Sequence, residues 1–294
     1  MSKSAKVMSK IVEINGIKTE LTHYSSKETD HCLIFFPGNP GLASFYVEFL
    51  SKIHDELNGD LDIICCSYPG HSPADGSMLN LDEQIQHKID LVDYLSESLS
   101  DTKFYIGGHS IGAHMAINVI KHRPNHNIVK VFALFPTLHG MAETPRGKEV
   151  SKITGAVARS VIAWVVVVLN ILPMALLVKI CQLVTKQPKP MAQVTVQQLC
   201  RYNTIKSVLH LADWEMKQVI ELDKDTINKH CDKLVMYYSQ DDGWVPMDYY
   251  HEIKAEFPDV EIHLCKDGMD HAFVTHHSVA MGVKMAGWIR NLIK

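Results

Sequence analysis

The sequence feature that most constrains the fold is a short motif with glycine at both ends. Residues 108–112 read Gly-His-Ser-Ile-Gly, directly after an apolar run at 103–107 and directly before an apolar segment of helical character. A strand that turns this tightly into a helix leaves no room for side chains at the flanking positions, and glycine removes them. The motif therefore predicts that the hydroxyl of Ser110 lies at the carboxyl edge of a sheet, beside a helix amino terminus.

The rest of the chain supplies the strands and helices that such a sheet needs. Short apolar runs alternate with longer amphipathic segments, a pattern typical of an α/β fold with a mainly parallel sheet flanked by helices. Asn80 and Glu83 have the spacing of a capping box at the start of the first long helix. The predicted strands are 10–13, 18–23, 32–36, 61–68, 103–107, 129–135, 233–238 and 260–265, and the predicted helices outside the interruption described below include 81–99, 246–257 and 272–293.

Composition excludes several classes of protein. With 46% apolar and 21% charged residues, the chain can bury a large core. Its 29 basic and 33 acidic side chains give a net charge of −4, so there is no basic excess of the kind that binds nucleic acid. The polar, lysine-rich amino terminus lacks the apolar core of a signal peptide, and we therefore expect a protein that is not secreted.

A serine hydroxyl becomes a nucleophile when a histidine held by a carboxylate removes its proton, and the elbow context predicts the chain order Ser, Asp, His. His271 follows the last predicted strand on a glycine-containing loop, which distinguishes it from the other histidines among the 17 in the chain. Asp242 is the favoured acid because it stands three residues before Val245-Pro246, where the next helix begins. Asp241, as the acid instead or as a turn-capping carboxylate, stays open as the alternative.

An ester carbonyl under attack also needs N–H donors at the place where its oxygen becomes negative. The N–H of Ile111, directly after the nucleophile, supplies one donor. The loop at 37–41 reads Pro-Gly-Asn-Pro-Gly, and its first proline has no N–H, so Gly38 and Asn39 are the early donors of this loop. We predict Asn39 as the second oxyanion donor; the alternative is that this loop is only a tight turn. No metal or organic cofactor is expected.

Five segments together resemble one known family. They are FFPGNPG at 35–41, SYPGHS at 67–72, GGHSIGAH at 107–114, SQDDGWVP at 239–246 and DGMDHAF at 267–273. In combination, and over nearly the whole chain, they are similar to the lipid-droplet-associated hydrolase family of the α/β-hydrolase superfamily. The resemblance implies an α/β-hydrolase fold and a serine hydrolase of lipid droplets and endoplasmic reticulum, with esterase activity that favours sterol esters over triglyceride. Its triad falls on Ser110, Asp242 and His271.

An uncharged stretch of 19 residues, 160–178, interrupts the α/β pattern, and 12 of its residues are Val, Ile or Leu. It is long enough to suggest a membrane span. One crossing would place Ser110 and His271 in different compartments, so the segment must return to its starting side. Pro173 breaks the run, and basic residues on both flanks favour the cytosolic side. These constraints predict a helical hairpin in one leaflet or on a droplet monolayer; the alternative is a cap helix buried in protein.

The resulting domain prediction is a hydrolase core at 1–136 and 223–294, with a helical cap at 137–222 whose apolar part spans about 153–184. We predict a serine hydrolase that cleaves carboxylic esters of apolar lipids through an acyl-enzyme. A droplet-binding or lipid-remodelling protein with little hydrolase activity, or an acyltransferase or thioesterase on the same triad, stays open.

The expected partners are the lipid substrate and the surface of a lipid droplet or of the endoplasmic reticulum membrane on its cytosolic face, and nucleic acid is not expected. Protein partners and oligomeric state are left open.

Overall fold

A single mixed sheet organises the chain. The computed structural model describes residues 6–26, 29–72 and 76–293; the first five residues, part of the polar amino terminus considered above, lie outside these ranges. Within them, eight strands form one sheet in the order β1-β2-β4-β3-β5-β6-β7-β8. Their bounds are β1 (Lys6–Ile14), β2 (Ile17–Ser25), β3 (His31–Phe36), β4 (Asp62–Cys66), β5 (Lys103–His109), β6 (Ile128–Leu134), β7 (Leu234–Ser239) and β8 (Glu261–Cys265).

The direction of the strands divides the sheet into two parts. The strands β1, β2 and β4 pair antiparallel, whereas β4, β3 and β5 to β8 run parallel. Because parallel strands end at one edge, the loops after β3, β5, β7 and β8 converge there. The predicted α/β class with a mainly parallel sheet is confirmed, and each predicted strand overlaps an observed one.

Helices cover both faces of the sheet and bury two separate apolar clusters. One cluster contains side chains of the helices at 47–56 and 278–290, and the other contains side chains of the helices at 81–98, 111–122 and 247–256. Strands buried on both faces explain why the parallel part reads as nearly continuous apolar runs. The helices are α1 (Val47–Glu56), α2 (Leu81–Ser98), α3 (Ile111–His122), α4 (Pro145–Val150), α5 (Ala156–Leu169), α6 (Met174–Thr185), α7 (Lys189–Val194), α8 (Tyr202–Gln218), α9 (Lys224–Lys229), α10 (Met247–Glu256) and α11 (Ser278–Arg290).

Two helix starts differ in how well the sequence predicts them. The capping box of α2 is confirmed: Asn80 accepts a hydrogen bond from the Glu83 N–H, and the Glu83 carboxylate accepts one from the Asn80 N–H. The prediction that the last helix begins at residue 272 is wrong, because α11 begins at Ser278. Phe273 packs its fully buried ring against Phe49. This contact holds Phe273–Thr275, the residues just before α11, in a short 3₁₀ turn.

The segment between β6 and β7 holds α4 to α9 and a π-helical turn, Thr195–Leu199. The apolar stretch forms α5 and α6, and Pro173 stands directly before α6, where the sequence predicts a break. The helical hairpin in one leaflet or on a droplet monolayer stays a prediction. The helix α5 packs against α8, whereas α6 packs against α7 and the π-helical turn. The assignment of 137–222 as a cap stays a prediction.

Most apolar side chains of this stretch face outward. Of the described residues of α5, only Ala163 is buried, so the alternative of a helix buried in protein is wrong for α5. We define the apolar surface as Val157, Val161, Trp164, Val165, Val168 and Ile171, whose exposed fractions are 79%, 57%, 60%, 51%, 61% and 82%. Across the described ranges, every helix is too short or too polar to span a bilayer.

Two glycines of α11 provide a matched test of the packing between α1 and α11. A Cβ on Gly282 would lie 2.9 Å from the Phe49 carbonyl oxygen, whereas a Cβ on Gly287 would have no atom within 4 Å. We expect Gly282→Ala to lower the free energy of unfolding by about 1–3 kcal/mol, because backbone must move. We expect Gly287→Ala to raise it by about 0.5–1 kcal/mol, because alanine favours the helix. Urea unfolding checks both, and equal effects would contradict the packing.

Candidate active site

The junction between β5 and α3 holds Ser110 in a strained turn. Its φ of 55° and ψ of −122° lie outside the regions that L-residues ordinarily adopt. A Cβ on Gly108 would overlap the Gly112 backbone, and a Cβ on Gly112 would overlap the Phe36 carbonyl. The two glycines are therefore required by close backbone approach, and the turn leaves the Ser110 hydroxyl free to point away from the sheet edge.

Three of the predicted residues form one chain of hydrogen bonds. His271 Nε2 lies 2.9 Å from Ser110 Oγ, and His271 Nδ1 lies 2.7 Å from Asp242 Oδ2. The Asp242 side chain is fully buried, and its Oδ1 accepts hydrogen bonds from the N–H groups of Trp244 and Val245 at 2.8 and 3.1 Å. Because a carboxylate can only accept, Nδ1 carries the proton of the neutral imidazole, and Nε2 presents its lone pair to Ser110.

The two candidate acids occupy different environments. Asp242 lies beneath the imidazole of His271, whereas Asp241 is exposed. The backbone N–H groups that hold the Asp242 carboxylate come from the two residues before Pro246, the same Trp-Val-Pro spacing that favours Asp242 in the sequence. The structure thus brings Asp242, and not Asp241, to His271.

A second histidine, His109, connects three loops at the site. Burial lowers the pKa of His109 well below its usual value, so the ring is neutral. Its Nε2–H donates to the His271 carbonyl at 2.8 Å, and its Nδ1 accepts from the Tyr46 hydroxyl at 2.6 Å. The Tyr46 oxygen in turn accepts the Gly38 N–H at 2.7 Å. Since the Gly38 N–H is engaged, Asn39 is the remaining early donor of this loop.

The loop after β3 lies directly against Ser110. A Cβ on Gly38 would be 3.0 Å from the Ser110 Cβ. Among the described residues, no hydrogen bond engages the backbone N–H of Asn39 or that of Ile111. The Asn39 side chain points to α8, where its Nδ2 donates to the Val208 carbonyl at 3.1 Å and to Glu215 Oε1 at 2.9 Å. Of the donors that Asn39 carries, its backbone N–H is therefore the one left for the predicted oxyanion role.

A mostly apolar cavity of about 360 Å³ opens at Ser110 and His271. Core loops form one side of it, and the segment between β6 and β7 forms the other. No group of three or more His, Cys, Asp or Glu side chains in the described part of the chain is placed to hold a metal ion. The apolar lining side chains include Phe45, Met141, Val150, Ile153, Leu199, Val208, Leu209, Ala212 and Val274.

Glu215 is a polar residue of this cavity that the sequence analysis missed. It is 3% exposed, and burial raises the pKa of its carboxyl to about 7, against the opposing effect of the hydrogen bond from Asn39. No cation among the described residues forms an ion pair with it. Its signal in the sequence is helical spacing: Glu215 stands four residues after Leu211, which in turn stands four after Ser207, so it lies on the buried side of α8.

The chain is similar to known proteins over most of its length. A model of the family described as lipid-droplet associated hydrolase matches residues 29–274. The chain belongs to this family. Curated lipid droplet-associated hydrolases are 33% identical in Drosophila melanogaster, covering 92% of this chain and 94% of the relative, and 30% identical in Homo sapiens, covering 94% and 90%. The resemblance predicted from the five segments is confirmed.

Solved structures with low sequence identity share the fold of this lipid-droplet associated hydrolase family member. A 2-hydroxy-6-oxo-6-phenylhexa-2,4-dienoate hydrolase from Rhodococcus has a TM-score of 0.72 at 12% identity and covers 97% of this chain and 99% of its own. A haloalkane dehalogenase from Bradyrhizobium elkani has a TM-score of 0.67 at 12% identity, covering 98% and 99%. The expected α/β-hydrolase fold is confirmed.

The buried carboxyl of Glu215 predicts a pH-dependent cost to stability. Its folded-state pKa of about 7 exceeds the ordinary 4.5, so between these pH values the folded chain binds a proton that the unfolded chain does not. Stability therefore falls as pH rises through this window. The wild type loses this stability and Glu215→Gln does not. We therefore expect the free energy of unfolding of Glu215→Gln, relative to that of wild type, to increase by about 3 kcal/mol as the pH rises from about 4.5 to 8.

Chemical denaturation at several pH values measures this gain. Glu221→Gln is the control, because Glu221 is exposed on the surface and should show little change with pH. A gain for Glu215→Gln no larger than for Glu221→Gln would contradict the burial of a titrating carboxyl at this position.

Proposed function

We propose that this protein is a serine hydrolase that cleaves carboxylic esters of apolar lipids at the surface of lipid droplets. The proposal depends mainly on one observation: a chain of hydrogen bonds connects Ser110, His271 and Asp242 at a mostly apolar cavity. Membership of the lipid-droplet associated hydrolase family, whose curated relatives carry that name, supports the same activity.

In the proposed first step, Ser110 Oγ attacks the ester carbonyl while His271 Nε2 takes its proton. Asp242 keeps the imidazole in the correct tautomer and stabilises the imidazolium that forms. The N–H groups of Asn39 and Ile111 donate to the carbonyl oxygen as it becomes negative. When the intermediate collapses, the bond to the alcohol oxygen breaks, and His271 gives the proton to the leaving alcohol.

In the proposed second step, water replaces the alcohol. His271 removes a proton from the water as it attacks the acyl carbon, and the same two N–H groups stabilise the second tetrahedral intermediate. Cleavage of the acyl bond to Ser110 Oγ releases the fatty acid and returns the proton to Ser110. The two proposed steps use no metal or organic cofactor.

The lining of the cavity supports an apolar substrate, and the resemblance to the family favours sterol esters over triglyceride. A cavity of about 360 Å³ lies in the range of sites for drug-sized ligands. A lipid ester with a long acyl chain is larger than this and would extend beyond the cavity. Ile153, which lines the cavity and is 44% exposed, precedes α5 by three residues and provides an apolar route to the surface.

The proposed location is supported by the apolar surface of α5 and the turn after it. Large exposed apolar patches mark contacts with other proteins or with lipid. Exposed lysines stand on both sides of this patch in the chain, at Lys148 and Lys152 before it and at Lys179, Lys186 and Lys189 after it, where they can meet anionic headgroups. We place this surface on the phospholipid monolayer of a droplet and on the cytosolic face of the endoplasmic reticulum membrane.

Kinetics on a soluble short-chain ester test the chemistry. We expect Ser110→Ala to lower kcat by about 10⁴-fold or more, and Asp242→Asn to lower it by about 10⁴-fold, because the imidazole loses its tautomer. Asp241→Asn is the matched control and should stay within about twofold of wild type, since changes at exposed sites without partners have small effects. Hydrolysis that persists in Ser110→Ala would contradict the proposed nucleophile.

Flotation with artificial droplets tests the location. We expect the double variant Val161→Asp with Val165→Asp to bind triglyceride droplets coated with phospholipid at least about tenfold less, because two apolar contacts are lost and charges are added. The control is Val279→Asp with Val283→Asp, an equally spaced pair on α11 with exposed fractions of 48% and 44%. Equal loss in the two double variants would contradict a specific role for the apolar surface.

A further inference from the structure

The helix α8 is hydrogen-bonded to the loop after β3 through the Asn39 side chain. Asn39 Nδ2 donates both to the Val208 carbonyl and to Glu215 Oε1, and both acceptors belong to α8. Because a backbone carbonyl can only accept, Val208 fixes the orientation of the Asn39 amide. The Asn39 amino group therefore faces α8, and Glu215 Oε1 is an acceptor whether the carboxyl is ionised or neutral.

Burial of the Glu215 carboxyl costs desolvation free energy. Glu215 is 3% exposed, and none of the described cations forms an ion pair with it. The hydrogen bond from Asn39 is the one side-chain hydrogen bond that Glu215 makes among the described residues. A leucine would fill the same volume without the desolvation penalty of a carboxyl. A functional role of Glu215 therefore has to act through its hydrogen bond with Asn39.

The loop around Asn39 is held from two directions. The core holds both neighbours of Asn39, since Tyr46 accepts the Gly38 N–H at 2.7 Å and His71 Nδ1 lies 2.7 Å from the Pro40 carbonyl. The Asn39 side chain is held by the cap instead. The orientation of the Asn39 peptide unit, and with it the direction of its free N–H, thus depends on α8.

We propose that Glu215 is a positioning residue for the oxyanion hole: through the Asn39 side chain, it holds the Asn39 N–H in the direction that stabilises the tetrahedral intermediate. This inference rests on the proposed function, because it assumes that the Asn39 N–H acts in ester hydrolysis. Its consequence is that the oxyanion hole is complete only while α8 is seated on the core. The cap then has a part in the chemistry in addition to covering the substrate.

Two substitutions at one position separate the acceptor from the charge. Glu215→Leu removes the acceptor and keeps the volume, and we expect kcat on a soluble ester to fall by about 10–100-fold with KM changed less than about twofold. Glu215→Gln keeps an Oε1 acceptor, and we expect it to lose no more than about threefold. The matched control is Gln218→Ala, which removes the hydrogen bond from the same helix to Asp82 of α2 and should behave as wild type.

Inhibitor binding provides a readout that a merely structural role would not produce. A boronic acid forms a tetrahedral adduct on the nucleophile, whereas an ether analogue of the substrate imitates only the bound ester. We expect Glu215→Leu to weaken boronate binding by the same factor as kcat/KM and to leave ether binding unchanged. Asn39→Ala keeps the backbone N–H, and adding Glu215→Leu to it should cause little further loss.

Several outcomes would overturn the inference. These are full activity of Glu215→Leu, equal impairment of Glu215→Gln, a parallel loss of ether binding, or additive losses in the double variant with Asn39→Ala. Full activity of Glu215→Leu in an enzyme that Ser110→Ala inactivates would overturn this inference alone. A wild type without hydrolysis that depends on Ser110 would overturn the proposed function and this inference together.

Discussion

Ser110 adopts a positive φ because β5 must pass directly into α3 at the edge of the sheet. The close approach of backbone at this turn brings the loop after β3 into van der Waals contact with Ser110. It also directs the ring of His109 to the loop that carries His271, and through Tyr46 to the loop that carries Asn39. Backbone strain at one residue thus coincides with the place where three loops meet, as is common at functional sites.

The features that the sequence predicts best are those that depend on neighbours in the chain. Buried strands show as apolar runs, the start of α2 shows in the spacing of Asn80 and Glu83, and the break before α6 shows in Pro173. The order of Ser110, Asp242 and His271 along the chain could also be predicted, because each follows a strand that ends at the same edge.

The features that could not be predicted depend on contacts between distant segments. Asn39 and Glu215 are 176 residues apart, and no local pattern connects them. The late start of α11 depends on the packing of Phe273 against Phe49, more than 200 residues earlier in the chain. Whether α5 is buried or exposed depends on how α8 packs against it, since an apolar helix looks alike in sequence in either environment.

The central claim is that Ser110 is the nucleophile of an active hydrolase. The most direct measurement is to treat the intact wild-type protein with a fluorophosphonate, digest it, and map the modified peptide by mass spectrometry. We predict one phosphonyl group for each chain, attached to Ser110. Modification of a different residue, or no modification, would contradict the claim.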